Sequence, residues 1–332
     1  MKVLYVVNTY PNENNPAAEP FVKAQIDSIC KLNVQVDIYN VNGPNSKLNY
    51  LKAIHAIRKK VNRESYDIVH GHYVYSGWIA ALQDKYPSVV SFMGSDLNGK
   101  CHETGFLTHQ GKVDLKLSML LQLYSDGIIV KSQRMQNLLI GKYKTKSIVL
   151  PNGVDFNTFI DIPTPEARKK LHLPLDKIFV LFVGNKNSTQ KGFHIFKEAV
   201  SILNHRDPRF EMLVAYGLPQ RQIPFYMNAA NVLALPSMKE GSPNVIKEAL
   251  ACNLPVVATD VGDVMQLIKH LPGCEIVDRK PDAFAEAAQR IISRTKPFNG
   301  REAIEHLRIE RIAERLLGFY SIVIERCKNT TI

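Results

Sequence analysis

Short β-branched runs alternate with amphipathic stretches, and this pattern occurs twice along the chain. This alternation is typical of parallel strands joined by helices. Six strands are predicted in the first half: Val3–Val7, Val34–Tyr39, Asp67–His70, Ser88–Phe92, Gly127–Val130 and Ser147–Leu150. The sequence therefore predicts an α/β domain with a doubly wound parallel sheet.

Helical periodicity separates these strands. Phe21–Leu32 and Val113–Leu123 are predicted helices. A third helix is predicted because apolar residues three or four positions apart form one face: Leu48, Leu51, Ile54, Ile57 and Val61. We expect that face to pack on the sheet and the other faces to carry basic residues.

The second alternation begins after Pro151–Lys170, whose prolines and glycine indicate a linker. The predicted strands there are Ile178–Val183, Glu211–Ala215, Val232–Leu235 and Pro255–Thr259, and the predicted helices are Gly192–Asn204, Asn244–Ala251 and Ala283–Arg294. We therefore predict two domains, residues 1–155 and 156–310. A last amphipathic stretch, residues 302–326, is long enough to pack back on the first domain. Two such sheets that face one another place the carboxyl ends of their strands on a central cleft, where ligands bind.

Composition excludes several classes of protein. A chain of 332 residues with 45% hydrophobic residues is long enough for two cores, and no apolar run approaches the roughly 20 residues of a membrane span. The five cysteines form no CxxC pair, which indicates reduced thiols in a cytoplasm and no structural zinc. The amino terminus fits a buried first strand better than a signal peptide.

The net charge of +11 comes from both halves of the chain, but basic residues form two local clusters in the first half. One comprises Lys47, Lys52, Arg58, Lys59, Lys60 and Arg63, and the other Lys131, Arg134, Lys142, Lys144 and Lys146. Two interpretations stay open: solvated helix faces, or contact with an anionic partner such as the inner face of a membrane. No motif beside these clusters indicates nucleic-acid binding.

The segment with the most chemistry is Leu235–Gly262, which reads LPSMKEGSPNVIKEALACNLPVVATDVG. A strand ends at its start, and a helix is predicted with Ser242 as N-cap and Pro243 as first residue. The amides of Asn244 and Val245 then form an anion site at the helix start, and Gly241 lets the backbone approach a phosphate.

Two glutamates flank this helix start. Glu248 lies more than one turn into the helix, where its carboxylate suits the paired hydroxyls of a ribose, and Glu240 lies in the loop, where it suits sugar hydroxyls or developing positive charge. The alternative interpretation is that both are ordinary solvated acids.

The spacing of these glutamates and the segment after them resemble the signature of family 4 glycosyltransferases. Further segments that match in order are LFVGNKNSTQKGF (Leu181–Phe193), PNGVDFNTF (Pro151–Phe159), DIVHGHY (Asp67–Tyr73) and SFMGSD (Ser91–Asp96). The resemblance implies the GT-B fold, two Rossmann-like domains, and a retaining hexosyltransferase that uses a nucleotide sugar without a metal or other cofactor.

The resemblance also implies site residues. Glu240 would face the transferred sugar and Lys191 would neutralise the leaving diphosphate. The remaining donor-binding residues would be Gly184, Asn185, Lys186, Gly241, Ser242, Pro243, Asn244, Val245 and Glu248, and the acceptor-side residues would be His72, Ser95 and Asp96.

The chain departs from the family pattern at four places. Asn185 stands where the family has an arginine, with Lys186 beside it, and Met93 stands where many relatives have a histidine. Residues 14–20 read NNPAAEP in place of a Gly-Gly loop. The stretch between Ala215 and Pro236 is also shorter than usual.

The expected function is transfer from a UDP- or GDP-sugar to a glycan or lipid-linked acceptor in polysaccharide, lipopolysaccharide or glycolipid biosynthesis. These departures leave open an alternative, a non-catalytic glycosyltransferase-like subunit that binds a partner enzyme or a glycan. An NAD oxidoreductase is disfavoured because no GxGxxG follows a strand.

Overall fold

The computed structural model describes residues 1–11, 18–43, 46, 48–102, 105–294 and 298–330. It divides into two units, and the second is inserted into the first. The first unit contains Met1–Gly153 and the last helix, and the second is Val154–Arg308. The predictions made for residues 14–17 and for Lys47 lie outside the described residues.

The first unit contains the predicted six-stranded parallel sheet, with strand order β2-β1-β3-β4-β5-β6. Its strands are β1 (Lys2–Val7), β2 (Gln35–Asn40), β3 (Ile68–His72), β4 (Ser88–Ser91), β5 (Gly127–Val130) and β6 (Ser147–Val149). β1, which pairs with β2 and β3, is almost wholly buried because helices cover the sheet. The prediction of six strands is confirmed.

Six α-helices precede the second unit in the described part of the chain. They are α1 (Pro20–Cys30), α2 (Leu48–Arg63), α3 (Tyr73–Ala81), α4 (Ser95–Asn98), α5 (His109–Tyr124) and α6 (Gln133–Asn137). Two of them illustrate how the core forms: α2 packs Ile57 and Val61 against Leu4, and α5 packs Leu121 against Val90.

The predicted apolar face of α2 is wrong in its first turn. Leu48 and Leu51 are 63% and 66% exposed, whereas Ala53, Ile57 and Val61 are buried. Successive steps of three residues each rotate by about 60° around a helix, so the predicted series drifts off the buried face. The second basic cluster is also only partly a surface feature, because Lys131 is buried.

The second unit contains a five-stranded parallel sheet of order β11-β10-β9-β7-β8. Its strands are β7 (Ile178–Val183), β8 (Phe210–Ala215), β9 (Val232–Leu235), β10 (Val256–Ala258) and β11 (Glu275–Ile276). The first four are confirmed predictions; β11 is a short edge strand that the sequence analysis missed.

Seven α-helices connect and flank these strands among the residues that the structure describes. They are α7 (Thr164–Lys170), α8 (Phe193–Arg206), α9 (Ile223–Ala229), α10 (Asn244–Ala251), α11 (Val264–Ile268), α12 (Pro281–Ile292) and α13 (Gly300–Ala303). Phe182, Phe196 and Phe284 meet in the core between the sheet, α8 and α12. The shortened stretch after β8 folds as a turn and α9.

The final helix, α14 (Ile309–Thr330), packs on the first unit. The hydroxyl of Tyr320 lies 2.8 Å from that of Tyr5 and 2.6 Å from Nδ1 of His70. The predicted stretch 302–326 is divided, because residues 300–307 form two short helical turns before α14 begins. In the portion of the chain that is described, no helix has the length and apolarity of a membrane span.

Candidate donor site in the second unit

The turn after β7 provides the first predicted donor-binding residues. Gly184 directly follows the strand, has a φ of +150°, and donates its N–H to the carbonyl of Ala215 at 3.0 Å. Asn185 folds the loop, since its side-chain oxygen accepts from the N–H of Asn187 at 2.9 Å. Lys186 is exposed, with its ammonium 5.7 Å from the ring centre of Phe193.

The two predicted catalytic residues contact each other. The ammonium of Lys191 lies 2.6 Å from Oε1 of Glu240, and the Ser237 hydroxyl donates to the same oxygen at 2.9 Å. The side chain of Glu240 is 15% exposed and that of Lys191 is 34% exposed. The sequence predicted both residues but not their ion pair, which forms between the loops after β7 and β9.

Backbone contacts hold these two loops together. The N–H of Met238 donates to the carbonyl of Gln190 at 2.8 Å, and Arg279 donates to the carbonyls of Pro236 and Thr189. Gly192 has a φ of +72°, and a Cβ there would overlap the carbonyl oxygen of Pro236. The Lys-Gly pair is therefore required locally: the glycine permits the close approach that brings the lysine to Glu240.

The start of α10 differs from the predicted cap. Pro243 occupies the N-cap position, Asn244 is the first helical residue, and no side chain caps the helix. The Ser242 hydroxyl instead donates to Oδ2 of Asp263 at 2.6 Å, because the turn after β10 brings that carboxylate close. The predicted roles of Ser242 as N-cap and Pro243 as first helical residue are wrong, while the predicted bounds of α10 are confirmed.

A buried lysine beneath this loop was missed. Lys247 is fully buried, and its ammonium donates to the Ser242 hydroxyl at 3.2 Å. Burial lowers the pKa of Lys247 to about 8, against the opposing charges of Asp263 and Glu248. The sequence contains a signal for this burial. Lys247 lies three and four positions before the apolar residues Leu250 and Ala251, so all three share one helix face.

Glu248 follows on α10 and has an unusual ionisation. Burial raises the pKa of its carboxyl to about 7, although the charge of Lys247 opposes the shift. A carboxyl group with this pKa changes protonation near neutral pH, and its hydrogen-bonding capacity changes with it. Asn244 and Val245, which begin the helix, are half-buried.

The acceptor-side predictions fall in the first unit and differ in their surroundings. Asp96 is buried and accepts from the N–H groups of Met93, Gly94 and Leu97 at 2.9–3.1 Å, so its carboxylate holds the loop after β4. Burial raises its pKa, and these hydrogen bonds oppose the shift. Ser95 is exposed.

His72 ends β3 and is fully buried, and neither ring nitrogen has a hydrogen-bond partner among the described residues. Burial, and then the charge of Lys131, lower its pKa to about 3. Its neighbour His70 is held by Tyr320 and by the Ser91 hydroxyl, which lies 2.9 Å from Nε2. Of the two histidines, only His72 has ring nitrogens without such partners.

The chain has two Rossmann-like parallel-sheet units, and the second carries a Lys-Gly turn after β7, Glu240 in the loop after β9 and Glu248 on α10. This is the architecture of the GT-B class of glycosyltransferases. A sequence profile described as Glycosyltransferase Family 4 matches residues 4–158, and one described as Glycosyl transferases group 1 matches residues 215–294. The chain belongs to this glycosyltransferase family.

Similar proteins carry related names. The chain is 26% identical to TuaC of Bacillus subtilis, named as a teichuronic acid biosynthesis glycosyltransferase, over 87% of this chain and 89% of that protein. It is 26% identical to a D-inositol 3-phosphate glycosyltransferase of Thermobifida fusca, over 80% of this chain and 72% of the relative.

Solved structures share the fold. Sucrose-phosphate synthase from Thermosynechococcus elongatus has a TM-score of 0.79 at 19% identity, covering 98% of this chain and 100% of that one. The Anabaena protein Alr3699/HepE, in complex with UDP and glucose, has a TM-score of 0.73 at 17% identity, covering 97% and 99%.

Proposed function

We propose that the protein is a retaining hexosyltransferase, which moves a sugar from a nucleoside diphosphate sugar to an acceptor hydroxyl in polysaccharide, lipopolysaccharide or glycolipid biosynthesis. The observation that carries this proposal is the Lys191–Glu240 pair in the loops after β7 and β9, directly before α10. The proposal includes no metal and no other cofactor. The names of TuaC and of the inositol phosphate enzyme support glycosyl transfer.

The donor diphosphate binds at the start of α10 in this proposal. The N–H groups at the start of a helix have no intrahelical partners and carry partial positive charge, so they favour an anion. Gly241 precedes them, and the ammonium of Lys191 adds a full positive charge that Glu240 holds in place. The UDP and UDP-glucose bound by Alr3699/HepE support a nucleotide donor of this kind.

The transfer step then requires little chemistry from the protein. The bond between the anomeric carbon and the diphosphate oxygen breaks, and its electron pair stays on that oxygen. Lys191 and the α10 amides stabilise this charge in a partly buried site. The acceptor oxygen forms the new bond on the same face of the sugar, and its proton passes to the departing phosphate oxygen. Glu240 faces the sugar and stabilises positive charge at the anomeric carbon.

A donor screen tests the proposal. Individual UDP-, GDP- and dTDP-sugars are added to the protein, and thermal shift and slow donor hydrolysis are measured. We expect one nucleotide class to raise the melting temperature and to be hydrolysed. A thermal shift without hydrolysis or transfer to any acceptor would favour the non-catalytic subunit, and the absence of both responses would overturn the donor site.

We also propose a cytoplasmic location with peripheral contact to an anionic membrane, and a lipid-linked or glycan acceptor. The supporting surface, the α5–α6 surface, combines exposed apolar side chains with lysines. Its members are Leu120, Leu123, Tyr124, Leu138 and Ile140, with Lys116 and Lys142. The N–H of Ile140 donates to the Gln122 side chain at 2.9 Å, which joins the two parts. Apolar side chains among lysines suit the headgroup region of an anionic bilayer.

Vesicle sedimentation tests this surface. We expect binding to phosphatidylglycerol vesicles, weakened by high salt, and little binding to phosphatidylcholine vesicles. Changing both Leu123 and Tyr124 to Ser should abolish binding, whereas Leu175→Ser, at a leucine 65% exposed in the second unit, should not. Equal binding by these two variants would contradict the proposed surface.

A further inference from the structure

Three polar side chains form a connected cluster beneath the loop before α10. The Ser242 hydroxyl accepts from the Lys247 ammonium and donates to the Asp263 carboxylate, at 3.2 and 2.6 Å. Lys247 lies on α10 itself, and Asp263 ends the turn that follows β10. One hydroxyl therefore links the helix to a turn twenty-one residues away.

Both charged members of this cluster are buried. Lys247 is fully buried, Asp263 is 7% exposed, and Oδ1 of Asp263 has no hydrogen-bond partner among the residues described. Burial lowers the pKa of Lys247 and raises that of Asp263, and each group's charge opposes the shift of the other. Burying two charges in this way gains little stability compared with apolar side chains of similar volume.

The same turn also touches the loop through its backbone. Gly262 has a φ of +59°, and a Cβ there would lie 2.7 Å from the carbonyl oxygen of Gly241. The hydroxyl of Thr259, at the start of the turn, donates to the carbonyl of Ser237 at 2.5 Å. The loop is thus held by the turn at its backbone and by the cluster at Ser242.

We propose that Lys247 and Asp263 are positioning residues that act through Ser242 to fix the backbone of residues 241–244 in the geometry that binds the donor diphosphate. The inference rests on the donor site proposed above. It adds to that site a buried lysine, Lys247, that lies inside α10. The buried charges of Lys247 and Asp263 contribute little to stability. In this proposal they hold the Ser242 hydroxyl, and hence the loop, in one orientation. A loop that is already ordered loses less entropy on binding.

The test measures UDP and GDP binding by calorimetry and thermal unfolding on the same full-length variants. Lys247→Met combined with Asp263→Asn removes both charges and keeps similar volumes. We expect about a tenfold loss of nucleotide affinity, together with an unchanged or higher melting temperature. The donor KM should rise by a similar factor, while kcat changes by less than about threefold.

Ser242 variants separate positioning from general destabilisation. Ser242→Ala should weaken nucleotide binding as much as the double variant, and Ser242→Thr, which keeps the hydroxyl, should restore it. Adding Ser242→Ala to the double variant should cause no further loss, because residues that act as one unit are not additive. Lys269→Met, at an exposed lysine just after α11, is the matched control and should bind like the wild type.

The outcomes are distinguishable. A wild-type protein that binds neither UDP nor GDP overturns the donor site and the positioning cluster with it. A wild type that binds, with variants that bind equally well, overturns the cluster alone. Affinity losses that only follow losses in melting temperature, without rescue by threonine, would also overturn it.

Discussion

Lys191 and Glu240, forty-nine positions apart in sequence, form a 2.6 Å ion pair between the loops that follow β7 and β9. The pair is partly buried and Ser237 supports the carboxylate, so the ammonium has a defined position. A diphosphate that binds beside it competes with the glutamate for this ammonium. The pair therefore links the group that would bind the leaving nucleotide to the group that would face the sugar.

Substitution of Lys191 and substitution of Glu240 should have different kinetic effects. We expect Lys191→Met to raise the donor KM by roughly ten- to hundredfold, because it removes a cation from the diphosphate. Glu240→Gln should lower kcat by roughly a hundredfold with a smaller change in KM, because it removes negative charge that acts mainly on the transition state. Steady-state transfer or donor hydrolysis measures both.

Lys197→Met is the control for this comparison, since Lys197 is an exposed lysine of α8. Lys186→Met tests whether Lys186, the exposed lysine in the same loop as Lys191, contributes to diphosphate binding. Equal kinetics in the wild type and in both Lys191→Met and Glu240→Gln would contradict the assignment of the pair.

Donor binding should depend on pH through Glu248. Burial raises the pKa of its carboxyl to about 7, so the ionised form that accepts two ribose hydrogen bonds increases from pH 6 to pH 8. We expect about tenfold tighter binding of a nucleotide sugar at pH 8 than at pH 6, and a flat profile for Glu248→Gln. A nucleotide sugar is used because it lacks a terminal phosphate that titrates in this range.

Ionisation of Glu248 should strengthen donor binding but weaken folding, so Glu248→Gln should also change stability. The folded-state pKa of Glu248 is about 7, above its usual value of 4.5, so this group destabilises the folded protein progressively as pH rises from about 4.5 to about 7, and the loss is complete at pH 8. Glu248→Gln should therefore unfold at higher urea concentration than the wild type at pH 8. Glu198→Gln, at an exposed glutamate of α8, serves as control. A wild-type binding profile that stays flat across neutral pH would argue against the role of Glu248.

Gly192 and Gly217 form a matched pair for the Lys-Gly turn. Both have positive φ, +72° and +68°, but a Cβ meets the Pro236 carbonyl at Gly192 and nothing within 4 Å at Gly217. We expect Gly217→Ala to lower the free energy of unfolding by about 1 kcal/mol, and Gly192→Ala by about 3 kcal/mol or more. Urea denaturation measures both, and similar losses would mean that the close approach to Pro236 is unimportant.

Acid should destabilise the first unit through its buried histidines. The folded-state pKa of His72 is about 3, so below pH 6.5 the unfolded chain binds a proton that the folded protein does not. This one group should cost about 2 kcal/mol of stability between pH 7 and pH 5. His72→Leu should remove this part of the loss of stability. The part due to His70, whose pKa is also lowered, should remain.

The measurement is urea denaturation at the two pH values, so that any packing change from leucine cancels in the difference. His55→Leu, at an exposed position of α2, should keep the wild-type pH dependence. A His72→Leu protein with the full wild-type loss would show that His72 takes up its proton in the folded state.

Sequence periodicity predicted both sheets because buried strands of a parallel sheet are nearly continuous apolar runs. The bounds of β7, β9 and α10 were predicted correctly. The exposed positions of Leu48 and Leu51 were not, because a chain of three-residue steps looks amphipathic while it rotates around the helix.

The site was predicted in its composition but not in its contacts. The two glutamates and Lys191 are local motif positions, so sequence sufficed to name them. The cap at Ser242 was wrong because the hydroxyl has a tertiary partner, Asp263, that no local pattern reveals. The Lys247 cluster was missed for the same reason: its meaning depends on a turn brought close by β10.

The position of α14 in the chain determines the order in which the two units are completed during translation. Because α14 completes the first unit and Val154–Arg308 lies between the two parts, the ribosome finishes the second unit before the first has its full complement of chain. The N–H of Val154 donates to the carbonyl of Leu307 at 2.9 Å, so the ends of the inserted segment lie side by side. The insert is thus expected to mature first during translation, while the hydroxyl of Tyr5 gains its contact with Tyr320 only after α14 has been synthesised.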